Sequence, residues 1–192
     1  MTRQVSHTRL TLKLTLWTLL GVTYLTLSAC TSLMTAPDLR TPGSVVDDVL
    51  IQQRAAKLLK EELHHEKDER IRVSVFNGIV LLTGQITTEA RKERATEVVE
   101  SIEQVRAVQN ELTTDDFRGV VERARDSYLA STVRAKLLTA QDVNFDKFDV
   151  VIDRGNVYLM GYATKEETER VTEIIRNVRG IKAVIKVMEY AD

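Results

Sequence analysis

The sequence predicts an α+β fold of two tandem α-β-β-α-β domains, each a three-stranded mixed sheet with two helices on one face. The first observation is an internal repeat, because residues 71–84 match residues 148–161 and keep two glycines in the same register. The second is that apolar residues alternate on both sides of a turn signal in each copy, which indicates a β-hairpin. The third is a helix-spaced apolar face after each hairpin, so each copy is expected to be a small domain.

A helix opens each unit, and its apolar residues have helical spacing. We predict these helices from residue 49 to about residue 63 and from about residue 126 to residue 139. The apolar residues that match at an offset of 78 are Ile51, Ala55 and Leu59 in the first helix and Leu129, Val133 and Leu137 in the second. This shared face is expected to pack on the sheet of its own domain.

The hairpin follows, and its turn signal is stronger in the first copy. Asn77-Gly78 is a two-residue turn, because both residue types tolerate positive φ. Arg154-Gly155 takes its place in the second copy. The second glycine of each copy, Gly84 or Gly161, is expected to mark a strand end.

A second helix and a short strand close each unit. In the second copy the helix begins with a capping box at residues 164–167, which satisfies free amide groups at a helix start. The closing strands are predicted at residues 105–112 and 181–188. The apolar face of the second helix in the first copy consists of Ala95, Val98, Val99 and Ile102.

The N-terminal segment predicts export. Residues 1–13 contain Arg3, Arg9 and Lys13 without an acid, and the apolar run at residues 14–27 is too short to span a membrane as a helix. Leu27-Ser28-Ala29-Cys30 resembles the lipobox of bacterial lipoproteins, and Cys30 is the only cysteine of the chain. By that resemblance residues 1–29 are a signal peptide and Cys30 carries the lipid. The residue after the cysteine, Thr31, implies by the same resemblance a location at the periplasmic face of the outer membrane. The alternative is an ordinary signal peptide followed by a free cysteine.

The remaining chain divides into a tether, two domains and a linker. Removing the leader lowers the formal net charge from −1 to −4. An acidic exported chain is a poor nucleic-acid binder, because such binding requires dense Lys and Arg. The predicted boundaries are residues 30–45 for the lipidated cysteine and flexible tether, 46–113 for domain 1, 114–123 for the linker and 124–190 for domain 2.

The order of elements and the paired glycine motifs resemble the BON domain, named from bacterial osmotic-shock and nodulation proteins. The resemblance covers both repeats, and with the lipobox it extends to the dual-BON-domain lipoproteins of the Gram-negative outer membrane. It implies a non-enzymatic protein that binds anionic phospholipids such as phosphatidylglycerol or cardiolipin and supports outer-membrane integrity. It also implies a link to division sites and to outer-membrane protein assembly.

The two opening helices differ on the face opposite the predicted core. The first copy has Gln53, Lys57 and Lys60 there, which is typical of a solvated surface. The second copy has an aromatic and an aliphatic residue flanked by arginines, as an interfacial phospholipid site requires. We therefore predict that phospholipid is contacted by Tyr128, Ser131, Thr132, Arg134, Ala135, Leu138, Arg125 and Arg123.

Other uses of this helix stay open. The same apolar residues would serve for packing against the first domain or for docking on a partner, as in a periplasmic adaptor or chaperone-like module of an outer-membrane assembly machine. Catalysis has little support, because the sequence contains no phosphate loop, GxSxG elbow or HExxH motif. His64 and His65 are neighbours on a helix and do not face the same way, so no metal or other cofactor is predicted.

Overall fold

The computed structural model describes residues 42–64, 69–115 and 119–191, which contain both predicted repeats. The first repeat forms α1 (Pro42–Leu63), β1 (Arg70–Phe76), β2 (Ile79–Gln85), α2 (Glu89–Glu100) and β3 (Ala107–Thr113). The second repeat forms α3 (Val120–Thr139), β4 (Phe148–Asp153), β5 (Asn156–Ala163), α4 (Lys165–Arg176) and β6 (Ala183–Tyr190). The predicted α-β-β-α-β order is therefore confirmed in both domains. The predicted leader, Cys30 and most of the predicted tether lie outside the described residues.

Each domain contains one mixed three-stranded sheet whose middle strand is the second of the three. In the first domain β2 pairs antiparallel with β1 and parallel with β3, and in the second domain β5 pairs in the same way with β4 and β6. Both hairpin turns have positive φ at their two central residues, 50° and 73° at Asn77 and Gly78, and 56° and 76° at Arg154 and Gly155. This pair of angles is that of the type I′ turn, whose twist matches the twist of the flanking strands.

Both helices of a domain cover the same face of its sheet, and each hydrophobic core lies between them. In the first domain Leu59 of α1, Leu82 of β2 and Val99 of α2 are almost completely buried in one cluster. The corresponding core residues of the second domain are Leu137, Leu159 and Ile175. The predicted packing of the helical apolar faces on the sheets is confirmed.

The helix starts differ most from the prediction. The helix α1 begins at Pro42 rather than at residue 49, and α3 begins at Val120 rather than near residue 126. Residues 42–45 of the predicted tether and 120–123 of the predicted linker are thus helical. In these added turns Val46, Val120 and Val121 are exposed to solvent. Because they do not belong to the buried face, the apolar periodicity that predicts a helix does not extend to them. The closing strands begin two residues later than predicted.

The predicted capping box at the start of α4 is present. The Thr164 hydroxyl accepts a hydrogen bond from the backbone N–H of Glu167, and the Glu167 carboxylate accepts one from the backbone N–H of Thr164. Lys147 donates a further hydrogen bond to Glu167 at 2.6 Å, and this bond holds the pKa of the Glu167 carboxyl below its usual value. The cap ties the start of α4 to the beginning of β4.

The two sheets pack against each other through the faces that carry no helices. A third hydrophobic cluster forms there from both domains. Its buried members are Phe76 and Leu81 of the first domain and Val151, Tyr158 and Met160 of the second. Burial raises the pKa of the Tyr158 phenol to about 12. Each sheet is therefore covered on both sides, by its own helices and by the other sheet.

Polar contacts join the rim of this interface. Glu189 of β6 receives two hydrogen bonds from the Arg106 guanidinium, at 2.7 and 3.1 Å, and one from the Asn77 amide at 2.5 Å. The hydrogen bonds from Arg106 hold the pKa of the Glu189 carboxyl below its ordinary value. Asp115 accepts a hydrogen bond from Arg154 across the same interface.

We expect Arg106→Gln to weaken the interface in a pH-dependent way. The depressed pKa of Glu189 contributes stability above the ordinary carboxyl pKa, and this stability is lost as pH falls through the lowered value. Because Arg106 is half exposed, the loss at neutral pH should be about 1 kcal/mol or less. Urea unfolding at about pH 6 and about pH 3 should show the parent and the variant converging at low pH. An unchanged difference between them at the two pH values would contradict this assignment.

Candidate functional site

The helix α3 carries the predicted site and buries one of its faces. Leu129, Val133 and Leu137 face the core of the second domain and are at most 3% exposed. Tyr128 and Leu138 lie on the outer side and are 70% and 67% exposed. The described part of the first domain does not cover these two side chains. A large aromatic and a large aliphatic side chain therefore share one solvated helix face, which makes this face a candidate contact surface.

We use the name outer stripe for Tyr128, Ser131, Ala135 and Leu138, all of which are exposed. At 3.6 residues per turn they fall within a sector of about 80° on the helix surface. Val121 is 79% exposed and lies two turns before Tyr128, so it extends the same apolar surface towards the start of α3. Sequence reasoning missed Val121 because the predicted helix began too late.

Two hydroxyl groups of the predicted site are occupied by the helix itself. The Ser131 and Thr132 hydroxyls both donate to the backbone carbonyl of Tyr128, at 2.8 and 2.9 Å. Bonds of this kind satisfy the hydroxyl without a partner outside the helix. Ser131 therefore adds little polarity to the outer stripe, and Thr132 is only partly exposed beside it.

The predicted arginines lie on both sides of the outer stripe. Arg125 is exposed on one side. Arg123 and Arg134 lie on the other side, where they line a cavity between the two domains. The Arg134 guanidinium donates to the backbone carbonyl of Val150 at 3.1 Å. The structure thus brings all the predicted residues together on α3. Their arginines have different environments, because Arg125 is exposed to solvent whereas Arg123 and Arg134 line the cavity.

A buried aspartate fixes α3 to the β4–β5 hairpin, and sequence reasoning missed it. The Asp126 carboxylate accepts hydrogen bonds from the backbone N–H groups of Arg154 and Gly155, both at 3.0 Å. In the first domain Asp48 accepts from the backbone N–H groups of Asn77 and Gly78 at 2.7 and 2.8 Å. The signal was available, because the two aspartates align at the same offset of 78 as the core residues. We call this arrangement the turn clamp.

Neither a metal cluster nor a membrane-spanning helix is present among the described residues. Within them no set of three or more His, Cys, Asp or Glu side chains is arranged to hold a metal ion. Among their helices, none combines the length and apolar character that crossing a membrane requires.

Comparison with known proteins identifies the family of the repeated unit. The family model of the BON domain matches residues 47–116 and again residues 125–192. The chain is 33% identical to the 21 kDa hemolysin of Actinobacillus pleuropneumoniae over 153 residues, which cover 80% of this chain and 79% of that protein. It is 29% identical to the outer membrane lipoprotein DolP of Haemophilus influenzae over 157 residues, 82% and 81% of the two chains. It is also 29% identical to the osmotically-inducible protein Y of Escherichia coli, over 74% and 72% of the two chains.

Proposed function

The chain belongs to the BON-domain family, as its glycine motifs predicted, and we propose that it is a lipid-anchored outer-membrane protein whose helix α3 binds anionic phospholipid. The observation that carries this proposal is the solvent-exposed outer stripe with arginines on both of its sides. The first domain keeps one exposed apolar residue, Leu50, at the position of Tyr128, but its other matching positions are Gln53, Lys57 and Lys60. The two domains therefore share a fold and differ in this surface.

The geometry suits a helix that lies in the plane of the headgroups. The surface from Val121 to Leu138 is about 26 Å long at 1.5 Å per residue. Apolar side chains of such a helix enter the boundary between headgroups and acyl chains, while each Lys or Arg near an anionic surface contributes about 1 kcal/mol. The two terms together give a reversible contact rather than permanent insertion.

The N-terminal lipid would make a weak contact sufficient. The proposed acylation at Cys30 rests on the lipobox-like leader and on the similarity to an outer membrane lipoprotein. Because the lipid would hold the protein at the bilayer through the short tether predicted from the sequence, the effective concentration of α3 there would be roughly in the millimolar range. The outer stripe would then decide where on the periplasmic face the protein dwells, with anionic regions such as division sites favoured. Support of outer-membrane integrity is the proposed consequence.

We expect Tyr128→Glu to weaken binding to anionic vesicles by about tenfold or more, since it removes an aromatic anchor and places a charge in the contact. Both hydrophobic cores lie within residues 42–191, so a chain that starts at residue 31 keeps the folded unit. Sedimentation of this chain with phosphatidylglycerol vesicles measures the effect. Leu50→Glu is the matched control, because Leu50 occupies the equivalent position of α1 and is 57% exposed. Equal binding of parent and Tyr128→Glu would remove the proposed site.

A photo-crosslinking residue at position 128 separates the lipid contact from the adaptor alternative. In cells the lipid-binding hypothesis predicts adducts with phospholipid at this position. Adducts with an outer-membrane assembly protein in place of phospholipid would support the adaptor function instead. The substitution is well placed for this test, because Tyr128 makes no core contact that its replacement would disturb.

A further inference from the structure

A cavity of about 510 Å³ lies between the two domains, beside the outer stripe. One wall is the side of α3 that includes Arg123 and Arg134, and the opposite wall is the edge strand β1 with Arg70 and Arg72. Edge strand β4 forms the floor. The cavity therefore draws two arginines from each domain. Its volume is within the range that small-ligand sites occupy.

Four arginines and three aspartates line the cavity, which gives it a formal net charge of +1. Asp126, Asp149 and Asp153 are the carboxylates among the lining residues. The Asp126 carboxylate is committed to the turn clamp. Asp149 lies 3.9 Å from the Arg134 guanidinium, and Asp153 lies 4.0 Å from that of Arg154. Each carboxylate thus has a cationic or N–H neighbour.

Two of the arginines keep donors for a ligand. A guanidinium has five N–H donors in a planar fork. Among the described residues, Arg72 donates one hydrogen bond, to the backbone carbonyl of Ile152 at 3.4 Å. Arg134 donates one, to the backbone carbonyl of Val150 at 3.1 Å, beside its ion pair with Asp149. These two contacts hold both side chains against β4 and leave the other donors of each fork to the cavity.

We propose that this cavity binds the phosphodiester of an anionic phospholipid headgroup, with Arg72 of the first domain and Arg134 of the second as its main ligands. The inference rests on the proposed function of the outer stripe and adds a headgroup site to it. A guanidinium can donate two parallel hydrogen bonds to two oxygens of one phosphate, so it selects both the charge and the shape of that group. Arg134 lies three residues after Ser131 and four before Leu138, so the cavity and the stripe are neighbours on one helix. A lipid can place its phosphate in the cavity and its acyl chains along the stripe.

This site requires both domains in the packing seen here. The sheet-to-sheet interface positions β1 opposite α3, so Arg72 reaches a ligand that is bound mainly by the second domain. The first domain, whose own helix lacks the outer stripe, then contributes to lipid selection. A separated second domain would keep apolar binding and its own arginines but lose Arg72, so its preference for anionic lipid should weaken.

The test compares Arg72→Gln with Arg94→Gln in the chain that starts at residue 31. Arg94 is an exposed arginine on α2 of the same domain and lies outside the cavity lining, so both variants lose one cation. With phosphatidylglycerol vesicles we expect Arg72→Gln to weaken binding about fivefold or more, and Arg94→Gln to change it less than twofold. Binding to phosphatidylcholine vesicles should be the same for all three proteins. Equal losses for the two variants would overturn the site, because general electrostatic attraction would then explain both. Thermal unfolding of each variant verifies that the fold is retained.

A soluble ligand distinguishes a lipid headgroup from free phosphate. Titration with glycerophosphoglycerol should shift the NMR signals of the Arg72 and Arg134 Nε–H groups in the parent, and Arg72→Gln should abolish the shift at Arg134. Inorganic phosphate should shift the same signals only at much higher concentration. Equal or tighter binding of inorganic phosphate would assign the cavity to the free ion and overturn the headgroup proposal. Shifts confined to the outer stripe would overturn it as well.

The two proposals can fail separately. If Tyr128→Glu abolishes vesicle binding and Arg72→Gln has no more effect than Arg94→Gln, the lipid function stands and the cavity site falls. If Tyr128→Glu binds like the parent while Arg72→Gln loses binding, the outer stripe is wrong and the cavity alone recognises the headgroup.

Discussion

Replacing Gly84 by alanine should unfold the first domain at moderate temperature. Gly84 has φ +124°, a backbone conformation that side chains with a Cβ rarely adopt. A Cβ at this position would stand 1.9 Å from the backbone carbonyl oxygen of Arg70, on the neighbouring strand β1. No side-chain rotation relieves that contact, because the Cβ and the carbonyl both belong to fixed backbone. Strain and forced separation of two strands together should lower the free energy of unfolding by about 3 kcal/mol or more.

The size of the effect follows from the place of Gly84 in the sheet. It pairs with Ile71 of β1 on one side and with Leu112 of β3 on the other, in the middle strand. A shift of β2 would therefore disturb both pairings and the core beneath them. Urea unfolding followed by circular dichroism measures the loss.

Gly119→Ala is a suitable control for the glycine prediction. A Cβ at Gly119 would approach only the Glu122 carboxylate, the end of a flexible side chain, and the residue does not have positive φ. Gly119 is the N-cap residue of α3, where alanine is less favourable than glycine, so its replacement should cost about 1 kcal/mol or less. If Gly84→Ala proves as stable as Gly119→Ala, the close approach of β1 to β2 at this point is not as described.

The sequence was sufficient for the local part of the fold. Alternation around Asn77-Gly78, the capping box of α4 and the helical spacing of Ala95 and Val99 each depend on residues close together in the chain. The internal repeat then transferred each assignment from one copy to the other, so the weaker turn at Arg154-Gly155 could be placed by register. Local signals that agree with each other are the most dependable basis for such inference.

The packing of the two sheets was not predicted, although part of its signal is in the sequence. A strand that is covered on one face alternates apolar and polar residues, whereas a strand covered on both faces is apolar without interruption. Strand β2 contains the run from Val80 to Leu82, and β5 the run from Val157 to Met160. These runs indicate burial on both faces. They do not name the partner, because any apolar surface would satisfy them.

Of the cavity arginines, Arg123 and Arg134 were predicted as lipid contacts, but the meeting of Arg134 with Arg72 was beyond sequence reasoning for a different reason. Arg72 and Arg134 are far apart in the chain and in different repeats, and neither has a counterpart that marks it. Only the sheet-to-sheet interface brings β1 opposite α3. A polar site between domains depends on their relative placement, which periodicity and turn signals do not determine.

The second large effect is expected from Asp126→Ala, which removes the turn clamp of the second domain. The Asp126 carboxylate accepts hydrogen bonds from two backbone N–H groups of the turn, and Asp126 is only 8% exposed. Its loss leaves both N–H groups without their acceptor. An unpaired buried polar group costs about 1–3 kcal/mol, and two are created here. Because water has partial access to the turn, we expect the free energy of unfolding to fall by about 3 kcal/mol in total. Urea unfolding should show this loss.

The repeat supplies the internal comparison for this prediction. Asp48→Ala removes the same two hydrogen bonds from the first domain, so the two variants should lose similar stability. Asp126→Asn should fall between parent and alanine, because its amide keeps one acceptor oxygen and presents an N–H group in place of the other. Only the second-domain variants should also weaken binding to phosphatidylglycerol vesicles, since the Asp126 clamp holds the first turns of α3, with Val121 and Tyr128, against the domain that positions them. Loss of vesicle binding in Asp48→Ala to the same degree would show that overall stability, rather than the placement of α3, governs the lipid contact.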